Sequence, residues 1–487
     1  MKILGNILLL SAFLFSCSDG MKKADVTSPD KPDIYPDYKD VTVPSDIAPL
    51  NFRPAAGSVT EGMVSVSGSG IELVVPLEEQ GFCFPESKWH KILEANKGKN
   101  LTLNVQLKEN GKWISYAPFN INIAEEEIDS HIAYRLIPPG YETWNDMGIY
   151  QRELSSFTQK PIIENYRADK NCMNCHSFCN RNPEKFLFHM RGKNAGTYII
   201  NNNTIEKLDT KTPETISALV YPSWNPDGRF VAFSTNETFQ SFHRHDKNRI
   251  EVYDNASDVV VYDTDKHEII SSPLLSSSER FETFPTFSAD GTKLYFCSAI
   301  AKDRVDFDEI RYSLCSVSFN PETRSFGSEV DTLYNAEKEM KSVSFPRVSP
   351  DGKYLMFTES GYGNFSIWHK DADLYLMSLA DGTYREISEV NSDDVESYHS
   401  WSSNGRWFIF SSRRDDGLYT RPYIAYIDEN GKIGKPFMLP QEDTGFYHDF
   451  MYSYNIPEFI TGEVECSGYD IANTARREKG RKIRFVK

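Results

Sequence analysis

Hydrophobic and polar positions alternate in GMVSVSGSGIELVVPL and again in NLTLNVQLKENGKWISYAPFNINIA, which predicts half-buried strands, while ESKWHKILEAN between them predicts one helix. Residues 41–135 are therefore expected to form a small β-sandwich-like domain. Downstream the pattern changes and repeats. YPSWNPDGRFVAFS at 221, FPTFSADGTKLYFCS at 284, FPRVSPDGKYLMFTE at 345 and YHSWSSNGRWFIFSS at 398 share one design: a short strand, a turn and a second, continuously apolar strand. The D-G or N-G pair supplies the positive φ that the turn requires, and the RFVAF, KLYF, KYLMF and RWFIF runs have the composition of strands buried on both faces. A second hairpin follows each copy, completing four-stranded units. CHSFCNRNPEKFLF at 175 aligns as a degenerate fifth copy, with one residue inserted in its turn. YHDFMYSYNIPEF at 447 begins a sixth that needs strands from near 145 to 165 for completion.

These copies resemble the TolB-type propeller repeat, in which aromatic-x-S-aromatic-S-P-D-G joins the innermost strand of a blade to its neighbour. The resemblance implies an all-β fold, a β-propeller of five to six blades over residues 175–460, preceded by the sandwich-like domain. Residues 136–174 are then a linker and 461–487 a tail, its RREKGRKIRFVK cluster a solvated end.

The N-terminus changes the compartment. MKILGNILLLSAFLFSC has one Lys2, a short apolar run and a small residue before Cys17, which is the pattern of a secretory signal too short to span a bilayer. The L-F-S-C segment resembles the lipobox of bacterial lipoproteins, which implies that 1–17 is a signal and that Cys17 is acylated as the membrane anchor. Residues 18–40, rich in Pro, Asp and Lys, are expected to be a flexible tether. A formal charge of −17 argues against nucleic acid as a partner. The chain is thus expected in the bacterial cell envelope, at the outer membrane.

The chemistry lies in C-M-N-C-H at 172–176. Two thiols three residues apart reach two vinyl groups on one porphyrin edge, and the next imidazole then lies under the iron. Resemblance to cytochromes c assigns thioether bonds to Cys172 and Cys175 and the proximal iron position to His176, and so one covalent haem c. A Cys₃His zinc site that adds Cys179, and a Cys172–Cys175 disulfide, are the competing readings. Cys297 and Cys315, on successive strands, read either as a disulfide or as two buried thiols. From NCMNCHSF through the repeats, the chain resembles exported TolB-like haem propellers found among Bacteroidetes lipoproteins.

Because CHSF aligns with YHSW, His176 is expected to begin the innermost strand of its blade, at the rim opposite the D-G turns. The same rim is expected to collect four candidates for the sixth ligand: His189, Met190, His243 and His399. Met/His ligation would suit electron transfer to a redox partner protein, and an open iron would suit a haem enzyme. A TolB-like binding scaffold is the third possibility.

Overall fold

A computed structural model describes residues 20–55, 59–138, 146–243, 246 and 248–486. Its organising element is a ring of six four-stranded sheets, blades I to VI, around a central channel. The innermost strands of blades II to VI are Met173–Phe178, Val220–Trp224, Arg280–Phe287, Ser342–Val348 and Glu396–Trp401. Blade I is composite. Its three outer strands, His131–Ile137, Gly148–Glu153 and Gln159–Glu164, precede the others in the chain, and its innermost strand, Ser453–Ile460, comes from the far end. Ser453–Ile460 pairs antiparallel with His131–Ile137, from His131 opposite Ile460 to Ile137 opposite Ser453. The ring therefore has six blades.

The repeated turns have the same geometry in blades III to VI. Gly228, Gly291, Gly352 and Gly405 take φ between 66° and 73°, and each donates its N–H to the carbonyl three residues back, at Asn225, Ser288, Ser349 and Ser402. Only glycine adopts that φ without a Cβ penalty, so the D-G and N-G pairs fix the strand crossover. Asp227, Asp290, Asp351 and Asn404 occupy equivalent positions beside them. Aliphatic and aromatic side chains then fill the gaps between neighbouring sheets: Phe230, Val261, Leu294 and Val317 between blades III and IV, and Leu187, Trp224, Val231 and Ile199 between II and III.

Three boundaries differ from the sequence reading. The 131–164 stretch, divided there between the sandwich and a linker, is three blade strands. The expected completion of the sixth blade by strands from near 145 to 165 holds for Gly148–Glu153 and Gln159–Glu164, whereas His131–Ile137, given to the sandwich, is also a blade strand, because an alternating strand looks the same whichever sheet accepts it. Residues 18–40, expected as a tether, pack from about residue 25. Val26–Thr27 runs parallel to Lys112–Ser115, Tyr38 is fully buried, and Tyr35 donates to Asp415 at 2.9 Å. The expected C-terminal tail is ordered too. Gly468–Arg477 is a helix burying Ile471, Ala472 and Ala475 against blades I and II, and Arg481–Lys482 and Arg484–Val486 each add a fifth strand to blades II and III. The basic residues there pair with acids on those edges, Arg481 with Glu206 and Arg484 with Glu268, both at 2.9 Å.

The N-terminal domain is built on Gly62–Gly68, Ile71–Pro76 and Asn100–Glu109, with the helix Glu86–Ala95 covering it through Trp89, Ile92 and Leu93. It shares one apolar core with blades V, VI and I. Polar contacts close the same seam: Asn51 donates to the Glu442 carbonyl at 2.9 Å, and Asp129 accepts from the Ser403 amide at 2.7 Å. Among the described residues no helix is long and apolar enough to cross a membrane. Cys17 lies outside the described residues.

Candidate functional site

Every innermost strand carries the same irregularity. Cys175, Tyr221, Phe284, Phe345, Tyr398 and Ile456 all have φ between 49° and 54°, each at a break in pairing with the neighbouring strand. A bulky residue in the left-handed region is disfavoured, so six equivalent copies are maintained by what they build. They build a plug. The rings of Tyr221 and Phe284, Phe284 and Phe345, and Phe345 and Tyr398 lie 4.5, 4.1 and 4.8 Å apart around the channel, and Cys175 and Ile456 complete the set. Cys175 is thus the sulfur member of an otherwise apolar and aromatic ring. Its burial pushes the thiol pKa above the usual range.

Each bulge is followed by a second residue, His176, Pro222, Pro285, Pro346, His399 or Pro457, and a third, Ser177, Ser223, Thr286, Arg347, Ser400 or Glu458. The third residues line a cavity of about 210 Å³ that opens among the turns at Pro226, Ala289 and Pro350. His176, His399 and Arg181 line it as well. This corrects the expected orientation: His176 lies on the turn side of the plug, because the bulge at Cys175 uses an extra residue and carries the next one past it.

The His176 side chain is fully enclosed; its polar neighbours are the Ile456 backbone and Glu458, and among the described residues neither ring nitrogen makes a hydrogen bond of ideal geometry. Glu458 Oε1 is 3.5 Å from its Nε2 and is itself without a hydrogen-bond partner. Burial, reinforced by Arg135, pushes the His176 pKa down to about 3, so the ring is neutral. His399 is neutral for the same reasons, burial and then Arg347, with its pKa pushed down to about 3; Nε2 donates to the Met356 carbonyl at 3.0 Å and Nδ1 is unpartnered. Burial raises the Glu458 pKa to about 7 against the pull of Arg347 and Arg181. Arg181 donates through Nε to the Trp401 carbonyl at 2.8 Å.

The other candidate ligands go elsewhere. His189, opposite Asn174, lines a different cavity of about 450 Å³ between blades II and III with Arg191 and Tyr221. Met190 points to the other face of its strand and is core, packed with Met173, Phe188 and Ile163. His243 stacks on Phe307 of blade IV with ring centres 5.9 Å apart, near the tip of the long blade III hairpin formed by Phe230–Phe242 and Ile250–Asp263. That hairpin crosses to blade V, where Glu251 contacts His369 Nε2 at 2.9 Å and accepts from Tyr362 Oη at 2.6 Å. Of the four candidates, His399 alone shares the His176 cavity.

Cys172 is half-buried, and its carbonyl accepts the Arg191 amide at 2.9 Å. Cys172, Cys175 and Cys179 are free thiols, as are Cys297 and Cys315, and Cys179 packs with Leu187 and Trp224. Among the described residues no three His, Cys, Asp or Glu side chains converge as a metal site. The donor set nevertheless fits a covalent haem: two free thiols at the attachment spacing and a neutral imidazole. A porphyrin is larger than the 210 Å³ cavity, and neither Cys172 nor Cys175 lines it. Haem binding therefore requires the channel wall at His176 to open.

Sequence reasoning found His176 and His399 but missed Arg347 and Glu458. The signal was present in the aligned copies: the third residue after each bulge is Ser or Thr in four blades and charged in two.

The ring places the chain in the class of six-bladed β-propellers. No family model matches it, and no curated protein matches it. Among solved structures it is similar to a prolyl endopeptidase, with 11% identity over 63% of this chain and 42% of that one and a TM-score of 0.34. It is similar also to dipeptidyl peptidase 4 of Porphyromonas gingivalis (12%, 69% and 51%, TM-score 0.32) and to a DUF4784 family protein from Bacteroides caccae (8%, 73% and 95%, TM-score 0.30). The chain spans about half or less of the length of the two peptidases.

Proposed function

We propose that this chain is an exported, TolB-like propeller, anchored at the outer membrane through acylated Cys17, that carries one haem c and passes electrons to a partner protein. Cys172 and Cys175 hold the haem by thioether bonds, and His176 is the iron ligand. The observation that carries the reading is the state of CMNCH: a buried, neutral imidazole with no hydrogen bond of ideal geometry, in one segment with two free thiols. An imidazole enclosed without a well-formed hydrogen bond is costly, and iron ligation offsets that cost. When bound, haem supplies one-electron redox chemistry; the chain supplies attachment, axial ligation and exclusion of water. Of the candidate ligands, His399 lines the same cavity and would be the residue available to hold the iron together with His176.

The test is production in a host competent for c-type haem maturation, followed by a denaturing gel stained for haem. Thioether bonds survive unfolding, so the stain should stay with the chain and the intact mass should rise by one haem. His176→Ala should change the absorption spectrum while some attachment persists, and an inert response to added small ligands would separate electron transfer from a haem enzyme. A colourless protein of unmodified mass overturns the proposal.

A further inference from the structure

The channel cavity carries a second reading that uses neither thiol and no iron. Its wall is a six-fold ring, and in four blades the ring position holds a hydroxyl: Ser177, Ser223, Thr286 and Ser400. Those hydroxyls satisfy the fold on their own terms. Ser223 donates to Thr286 at 3.5 Å, and Ser400 donates to the Pro457 carbonyl at 2.8 Å. Blades V and I, on either side of Ser400, depart from the pattern with one cation and one anion, Arg347 and Glu458.

The two charges attract each other, yet among the described residues no ion pair within 4 Å joins them, and neither has another such partner except the Glu458 contact to neutral His176. Arg347 donates through one Nη to the Pro346 carbonyl at 2.9 Å, and Glu458 Oε2 accepts from the Phe178 amide at 3.2 Å. Glu458 Oε1 is left without a hydrogen bond, and its side chain is 18% exposed. Arg181, the third charge, is balanced by Asp129 as well as by Glu458. Opposite charges on separate strands of the ring, with a floor of Pro222, Ile456 and two neutral imidazoles and a wall of hydroxyls, form a dipolar receptor. Charges partly withdrawn from water in this way gain from a ligand that pairs with both.

We infer that the cavity on the turn face of the channel binds a small zwitterion of the α-amino-acid type, its carboxylate on Arg347, its ammonium on Glu458 Oε1 and its body over Pro222 and Ile456. The cavity size limits the ligand to a single small molecule. An amino acid carries both charges on one small molecule, so it can pair with Arg347 and Glu458 at once. A simple carboxylate leaves Glu458 unpaired, and a simple amine leaves Arg347 unpaired, so each loses half of the recognition.

The experiment is calorimetric titration of the full chain, prepared with and without haem maturation, using L-alanine, propionate and ethylamine. L-Alanine should bind at least tenfold more tightly than either single-charge probe in one or both preparations. Arg347→Gln and Glu458→Gln should each weaken L-alanine binding at least tenfold, and Arg347→Gln should leave the ethylamine response unchanged. The probe series on the unaltered chain keeps the inference testable if a variant folds poorly. Equal binding of propionate and L-alanine, or no L-alanine binding in either preparation, overturns it. A haem held by His176 and His399 would take up this cavity, so L-alanine is expected to bind the preparation without haem, and failure of the haem reading leaves that result untouched.

Discussion

Glu282 offers a quantitative check on the interior of the ring. It sits on the innermost strand of blade IV, 1% exposed, with Oε1 3.4 Å from the Ser298 hydroxyl and Oε2 without a partner. Burial, and then the neighbouring Asp258 carboxylate, raise its pKa from 4.5 to about 7, against an opposing pull from Arg280. The folded chain therefore holds the proton more tightly than the unfolded one. The cost of ionising Glu282 is absent below about pH 4.5, grows as pH rises towards 7, and is complete above 7. At about 1.4 kcal/mol per pK unit, the full cost is roughly 3 kcal/mol, an upper bound because the strands can relax. Glu282→Gln keeps the shape and cannot ionise, so it should leave stability nearly unchanged at pH 4.5 and raise it at pH 8. With about 2.1 cal/mol/K of unfolding entropy per residue, a gain of that size is on the order of 3 °C in Tm. Thermal melts of both proteins across this range are the assay. A Tm difference that stays flat with pH, or that turns against the variant above pH 7, refutes the argument.

Other predictions concern closure, edges and anchoring. Arg421, 1% exposed, donates to the carbonyls of Tyr447, Phe450 and Tyr452 and so ties blade VI to the segment leading into the closing strand. Arg421→Met should cost about 3 kcal/mol or more, read by urea unfolding, because three buried carbonyls lose their donor; a loss under 1 kcal/mol would count against it. Deleting residues 480–487 should uncover the outer edges of blades II and III and promote self-association, measured by sedimentation, with blade packing intact. A strictly monomeric truncated protein would contradict this. Cys17→Ala should shift the protein from the membrane to the soluble fraction, since acyl chains provide the proposed anchor; equal membrane retention of both forms would refute it.

The blades were legible because their signal is local and repeated. Turn glycines fix the crossovers, and apolar runs such as KYLMF mark strands buried on both faces. Partnership was legible only in part: strands near 145 to 165 were expected to complete the sixth blade and do, but His131–Ile137 was not placed there. HIAYRLI alternates as a sandwich strand would, and only its long-range pairing with Ser453–Ile460 assigns it to blade I. The terminal segments failed for a related reason: residues 25–40 and 478–486 have weak patterns of their own and are ordered by edges that other strands leave open. At the site, the alignment of CHSF with YHSW located His176 and His399 together. The left-handed bulge is a backbone event with no residue-type signature, since Cys, Tyr, Phe and Ile all adopt it, so the direction in which His176 faces could not be read.

Closure by Ser453–Ile460 has a temporal consequence. Blade I lacks its axial strand until nearly the whole polypeptide has emerged, so the annulus is completed late, through contacts more than three hundred residues apart in sequence. Before that moment the inner wall is an open edge, and Cys175 and His176 are as reachable as any surface residue. Afterwards both are sealed behind neighbouring blades. Under the proposed function, attachment at Cys175 would therefore have to fall in the interval before ring closure and would compete with folding itself. Slowing the docking of the last strand would widen that interval, and speeding it would narrow it, with the finished architecture unchanged.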